Sequence, residues 1–249
     1  MHILTPKKYG VALDVDGTLA DTNRECYARV QDAWYSRFRL PFPLDYEQFR
    51  SFRPGVKRVE DYFTLSARFM QHDAFIESPP LLTDEGVGLM TATFYDKRKE
   101  KQASDMPGWL SENPAYDGVA GMMQALAGTG LDVFAVTSKD EASVRALLDH
   151  HKLAGVSQIF DRETGKNRKE QFGRAALARG VELGNMAAYD DLLPQLLEAR
   201  DNGVHPIWAP QGYGVKEEID AARIQAAWPH EFVAAVEEVF RQRGRTRIQ

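Results

Sequence analysis

Apolar residues along the chain fall into two textures. Tyr9–Val15 is a short, β-rich apolar run closed by Asp14, Asp16 and Gly17, which predicts a buried strand ending in a tight turn. A comparable texture resumes only at Gly118. From there Val119, Met122, Met123 and Leu126 recur at helical spacing, Gly128 and Gly130 interrupt, and Leu131–Thr137 reads as a second buried strand. The alternation continues with a helix through Val144, Leu147 and Leu148, a run over Ser157–Phe160 and a helix at Phe172–Ala178. A run over Asn185–Tyr189, a helix through Leu193, Leu196 and Leu197, and a run over Val204–Trp208 follow. The turn-rich segment Gln211–Gly214 precedes a last helix through Phe232, Val236 and Phe240, and Arg241–Gln249 is expected to be a frayed basic tail. Uniformly apolar strands alternating with helices predict an α/β core, a Rossmann-like doubly wound parallel sheet with helices on both faces.

Between Asn23 and Glu112 the texture is amphipathic and helical. Cys26, Val30, Ala33 and Trp34 form one stripe, and Val59, Tyr62, Phe63, Phe69 and Met70 form another, with no convincing strand. This predicts an inserted α-helical domain over 23–112, flanked by core segments 1–22 and 113–249, with hinges near Thr22 and Pro114–Asp117. Trp109 is expected to pack, and His150-His151 to face solvent.

The 249 residues suit one domain with a large insertion better than two full-sized domains. With 31 basic and 36 acidic side chains the net charge is −5, so a general grip on nucleic acid or an anionic membrane is not expected. Any anion must be held locally. A single cysteine, Cys26, and six scattered histidines provide neither an intrachain disulfide nor a zinc spacing. The chain lacks about 18 consecutive apolar residues, and its first residues do not read as a secretory signal, so a soluble, cytoplasmic monomer or homodimer is the expectation.

The sharpest feature is Asp14-Val15-Asp16-Gly17-Thr18-Leu19-Ala20-Asp21-Thr22 at the end of the first strand. Ligands of open parallel sheets sit beyond the strand C-termini, so both leading carboxylates stand where chemistry is expected. The Gly17 turn lets them converge. Two such carboxylates can divide the roles of nucleophile and general acid, or hold a divalent cation.

This string resembles the first motif of the haloacid dehalogenase superfamily. The resemblance implies an Asp14 nucleophile that attacks a phosphoryl group, and an Asp16 that protonates the leaving alcohol and then activates water. The second motif, a Thr or Ser after a core strand, is matched by Thr137 and Ser138 in Val136-Thr137-Ser138-Lys139, which would bind the phosphoryl oxygens. For the third motif, a phosphate-neutralising lysine, Lys166 and Lys169 both qualify; Lys166 fits the family's spacing to Gly180 better. The fourth supplies metal-binding acids. Here Asp190-Asp191 stands where Gly-Asp is usual, with Gln195 in place of a second Asp. The resemblance therefore implies a Mg²⁺ ion held by Asp14, the backbone of Asp16, and Asp191 with or without Asp190. In this reading the 23–112 insert is a cap that closes over the site and selects a small phosphorylated metabolite. Arg50 and Arg53, in the acid-free stretch Phe49–Arg58, are candidate contacts to the substrate; a basic surface turn between helices is the simpler reading of the same residues. The implied activity is a Mg²⁺-dependent phosphatase working through an aspartyl-phosphate. A phosphotransferase or mutase, or a catalytically weak phosphate-binding regulator, are the alternatives.

Overall fold

The computed structural model describes residues 8–72 and 83–246, with side chains over 8–69 and 83–243. The reading of the first seven residues and the Met70 contact of the second helical stripe lie outside what is described. The chain divides into two compact units, Met1–Asp21 with Ala115–Gln249, and Thr22–Pro114. No helix among the described residues is long and apolar enough to cross a membrane.

The first unit is built on six parallel strands: β1 (Gly10–Leu13), β2 (Asp132–Val136), β3 (Ile159–Phe160), β4 (Met186–Asp190), β5 (His205–Trp208) and β6 (Gln225–Ala226), in the order β3-β2-β1-β4-β5-β6. This is the doubly wound order, and β1, the first strand made, lies between β2 and β4 at the point where the winding reverses. The strands β1, β2 and β4 are buried at every position, which explains why they read as continuous apolar runs rather than alternating ones. They are shorter than the apolar runs suggest. In particular, Asp14 lies just past β1, although its N–H still bonds to Tyr189 O at 2.9 Å. The edge strand β6, two exposed residues long, has no sequence signal.

The second unit contains the helices α1 (Asn23–Phe38), α2 (Tyr46–Ser51), α3 (Val59–His72), α4 (Asp84–Ser104) and α5 (Met106–Ser111). Cys26, Val30 and Trp34 on α1 pack with Phe49, Tyr62, Phe63, Met90 and Phe94 in one core. The α1–α4 contact also buries an ion pair, Arg98 Nε and Nη2 donating to the two Glu25 oxygens at 2.8 and 2.7 Å. Such two-pronged geometry offsets the cost of removing both charges from water. Trp109, on α5, is fully buried.

Around the sheet lie α6 (Val119–Ala127), α7 (Glu141–His150), α8 (Arg168–Arg179), α9 (Leu193–Asp201), α10 (Lys216–Ala221) and α11 (Pro229–Thr246). Right-handed crossovers place α6 and α7 on one face and α8 and α9 on the other, consistent with contacts of α6 with α11 and of α8 with α9. The expected frayed tail is corrected in part: α11 continues through Thr246, and, of the tail, residues 247–249 lie outside the described chain.

Candidate active site

The site stands at the C-terminal ends of β1, β2 and β4. After Asp14 the chain turns on Val15, whose carbonyl accepts from the N–H groups of Thr18, Leu19 and Ala20 at 3.3, 3.0 and 3.1 Å, while Gly17 N–H donates to Ala20 O at 2.8 Å. Gly17 has φ +85°, and a Cβ there would overlap the Asp191 carboxylate and crowd the Tyr213 ring. Only glycine meets both conditions. The tight turn places Asp14 and Asp16 in different surroundings.

The carboxylates of Asp14, Asp190 and Asp191 converge, each offering an oxygen within 4.8 Å of the others, and all three residues are buried. A guanidinium faces this cluster. Arg168 Nη2 donates to Asp14 Oδ1 at 2.6 Å and to Asp190 Oδ2 at 3.0 Å. Its Nη1 donates to Val136 O at 2.5 Å and Gln171 Oε1 at 3.3 Å, and its backbone N–H to Glu198 Oε2 at 3.1 Å. Asn167 caps α8 by accepting from Glu170 N, so Arg168 is the first helical residue and its side chain turns toward the strand ends. Gln171, one turn on, donates to the carbonyls of Thr137 and Asp161, each at 2.8 Å. These bonds tie α8 to the ends of β2 and β3.

Burial pushes the Asp14 carboxyl above the usual carboxylate range; the Asp16 charge adds to the rise and the Arg168 guanidinium opposes it. Burial, with the Asp14 charge second, pushes Asp190 up to about 7 against the pull of Arg168. Arg168 remains cationic because its two carboxylate partners outweigh burial. When ionised, the three carboxylates outnumber the guanidinium they face, and the donors are all hard oxygens. That donor set suits a small divalent cation such as Mg²⁺.

A raised folded-state pKa has a definite consequence for stability. The unfolded Asp190 titrates near 3.9 and the folded one about 7, so between those values the folded state binds more protons and stability falls as pH rises. The metal-free protein is therefore expected to melt at a lower temperature at pH 8 than at pH 5.5, and Asp190→Asn should flatten that slope. Melting curves in EDTA at the two pH values check this; an unchanged slope in the variant would contradict it.

Asp16 is not one of those three carboxylates. Its Oδ1 lies 3.2 Å from Lys139 Nζ, and the Lys139 side chain is fully buried while that of Asp16 is 16% exposed. Thr137 is buried, and its hydroxyl oxygen accepts from Lys139 N–H at 3.2 Å. The cap of α7 is Asp140, which accepts from Ser143 N at 2.9 Å, so neither Thr137 nor Ser138 is occupied as a helix cap. Ser138 itself is exposed.

The sequence-derived candidates are thus distributed unevenly. Asp14, Asp190 and Asp191 come together, with Asp16 on the same strand end as Asp14 and Thr137 at the end of the neighbouring β2. Lys166 and Lys169 do not join them: both side chains are exposed, and the cations placed against Asp14 and Asp16 are Arg168 and Lys139. Gln195 is half-buried in the first turn of α9. In the helical unit, Arg50 is exposed and paired with Glu47 at 3.2 Å, whereas Arg53 is buried, its Nη1 donating to Val56 O at 3.4 Å and its guanidinium lying over the Tyr62 ring. Arg168 and Lys139 escaped the sequence reading although signals existed. Arg168 lies between the two lysines weighed, and Lys139 directly follows the Thr-Ser pair.

Comparison with known proteins agrees with this architecture. The family model for haloacid dehalogenase-like hydrolases matches residues 10–203. A 5′-nucleotidase from Pseudomonas aeruginosa is 26% identical over 217 residues, covering 85% of this chain and 86% of its own. Among solved structures, a haloacid dehalogenase-like family hydrolase from Streptococcus pneumoniae superposes with a TM-score of 0.72 at 14% identity, over 92% of this chain and 98% of the other. A family hydrolase from Deinococcus radiodurans with bound phosphate and sodium gives 0.62 at 16% identity, over 94% and 97%. The family model spans the sheet from β1 to the end of α9, including every strand end that carries an acid or a cation of the site, and the chain belongs to the haloacid dehalogenase-like hydrolases.

Proposed function

We propose that this hydrolase cleaves a small phosphate monoester in two steps through an aspartyl-phosphate on Asp14. The observation that carries the reading is that the two leading carboxylates have different cationic partners, Asp14 facing Arg168 within the buried group of acids and Asp16 facing Lys139. Paired carboxylates with different partners are the arrangement that divides nucleophile from acid–base work. Asp14 attacks phosphorus and the ester oxygen departs; Asp16 delivers a proton to that oxygen, then takes one from the water that cleaves the acyl phosphate. Asp14, Asp190 and Asp191 would hold Mg²⁺, with the backbone carbonyl of Asp16 as a further donor. When bound, the ion offsets the negative charge of nucleophile and phosphate and so lets them approach.

The buried Lys139 and Arg168 take the charge-neutralising role that the resemblance assigns to Lys166. Arg168 fixes the nucleophile from behind, its donors engaged by Asp14, Asp190 and Val136; Lys139 stands beside Asp16 on the strand end that also carries Thr137. Thr137 and Ser138 supply hydroxyl and backbone groups to the phosphoryl oxygens. The helical unit is read as a cap that governs which ester enters, with Arg50 the exposed candidate for substrate contact.

The test is a panel of phosphate monoesters assayed with Mg²⁺ and after EDTA. Nucleoside 5′-monophosphates come first because the Pseudomonas relative is a 5′-nucleotidase. We expect release of inorganic phosphate from at least one ester, lost in EDTA and restored by Mg²⁺. Turnover that survives complete removal of divalent ions would overturn the metal assignment.

A further inference from the structure

The segment after β5 makes contacts that neither the sequence reading nor the proposed chemistry uses. Tyr213 N–H donates to Asp191 Oδ2 at 2.8 Å, and the Tyr213 hydroxyl is 3.0 Å from Asp21 Oδ1, at the far end of the turn that carries Asp16. Gln211 Nε2 donates to Thr18 O, in the same turn, at 2.9 Å. Trp208 Nε1 donates to the backbone carbonyl of Asp191 at 3.0 Å. Between these bonds the backbones touch: a Cβ on Gly212 would overlap Gly17 O and the Asp191 side chain, and one on Gly214 would overlap Asp191 O. One segment therefore grips both the loop after β1 and the acid after β4. Those loops follow adjacent strands, which are paired in register as far as Leu13 and Tyr189.

We propose that Trp208–Gly214 is a clasp that aims the Asp191 carboxylate and fixes its distance from the Asp14–Asp21 turn, with Tyr213 as its positioning residue. The inference rests on the reading of Asp191 as a cation ligand. A carboxylate on a free loop must be ordered when the ion arrives, whereas one whose second oxygen already accepts a backbone N–H is oriented beforehand. The Tyr213 hydroxyl anchors that N–H at the other end. The clasp supplies geometry rather than a reacting group, so its loss should appear first in cation affinity.

The experiment is calorimetric titration of Mg²⁺, with Mn²⁺ followed by electron paramagnetic resonance, into the metal-free full chain and the variants Gly212→Ala and Tyr213→Phe. Gly212→Ala inserts a methyl group against Asp191 and is expected to weaken Mg²⁺ by about 10–100-fold, the usual penalty for disturbing a ligand's outer support. Tyr213→Phe, which keeps the ring and the N–H, should weaken it in the same direction by less, and it decides the matter if Gly212→Ala does not fold. Melting curves in EDTA establish which variants are folded. A lowered melting temperature with unchanged Mg²⁺ affinity in a folded variant would show a purely structural loop and overturn the clasp. Wild-type protein that binds neither ion would overturn the cation reading, and the clasp with it; wild-type binding with unaltered variants overturns the clasp alone.

Discussion

Asp14→Asn is expected to lower phosphate release by at least about 10⁴-fold at saturating substrate, the scale seen when a covalent nucleophile is removed. The amide oxygen is a poor nucleophile, and it removes one of the charges against which Arg168 Nη2 is set at 2.6 Å. Stability should move the other way or little, because the buried Asp14 carboxyl is pushed up in pKa by burial and by Asp16, and an amide carries no charge to desolvate. A well-folded, inactive protein is the expected result. Rapid mixing of wild type with p-nitrophenyl phosphate, followed by an acid quench and hydroxylamine trapping, should reveal an acyl phosphate that is missing from the variant. Turnover within tenfold of wild type would sink the covalent mechanism.

Asp16→Asn is expected to separate substrates by their leaving groups. An alkoxide cannot depart near neutral pH without a proton, so hydrolysis of an alkyl phosphate should fall by about 10²–10⁴-fold. p-Nitrophenolate leaves without help, and its release from p-nitrophenyl phosphate should survive in the first turnover. The second step should then stall, because no base remains to activate water. The signature is a burst of p-nitrophenol equal to the enzyme concentration, followed by slow release, with no burst from the alkyl ester. Equal losses on both substrates with no burst would deny Asp16 the acid–base role. Because the variant leaves the buried Lys139 without its carboxylate, a melting curve must accompany the assay.

The sequence made the core legible because parallel strands covered on both faces are apolar at every position. β1, β2 and β4 stood out for that reason, and the turn chemistry after β1 marked the strand end where acids gather. β6 did not stand out, since two exposed residues have neither period nor burial. The tail expected to fray is helical as far as Thr246, since arginines are good helix formers.

Within the site, Asp14, Asp190 and Asp191 converge, whereas Lys166 and Lys169 are exposed. An Asp-x-Asp string after a strand is local information, so Asp14 and Asp16 could be named from it, and Asp190 and Asp191 from the resemblance to the family's fourth motif. Which cation reaches them is not local. Lys166, Arg168 and Lys169 are nearly adjacent in the chain, but successive helical residues point about 100° apart, and the Asn167 cap sets the phase so that Arg168 alone turns inward. Lys139 is likewise buried against Asp16 because β1 and β2 are neighbours in the sheet, a pairing between residues more than a hundred positions apart. The grip of Tyr213 on Asp191 depends on β4 and β5 being adjacent. The sequence alone determined the fold class and the place of Asp14 and Asp16 at a strand end, because burial pattern and turn chemistry are written in consecutive residues; Asp190 and Asp191 were implied by the family resemblance. Tertiary structure decided the partner of each carboxylate, since helix phase and strand order bring together charges that the linear chain keeps apart.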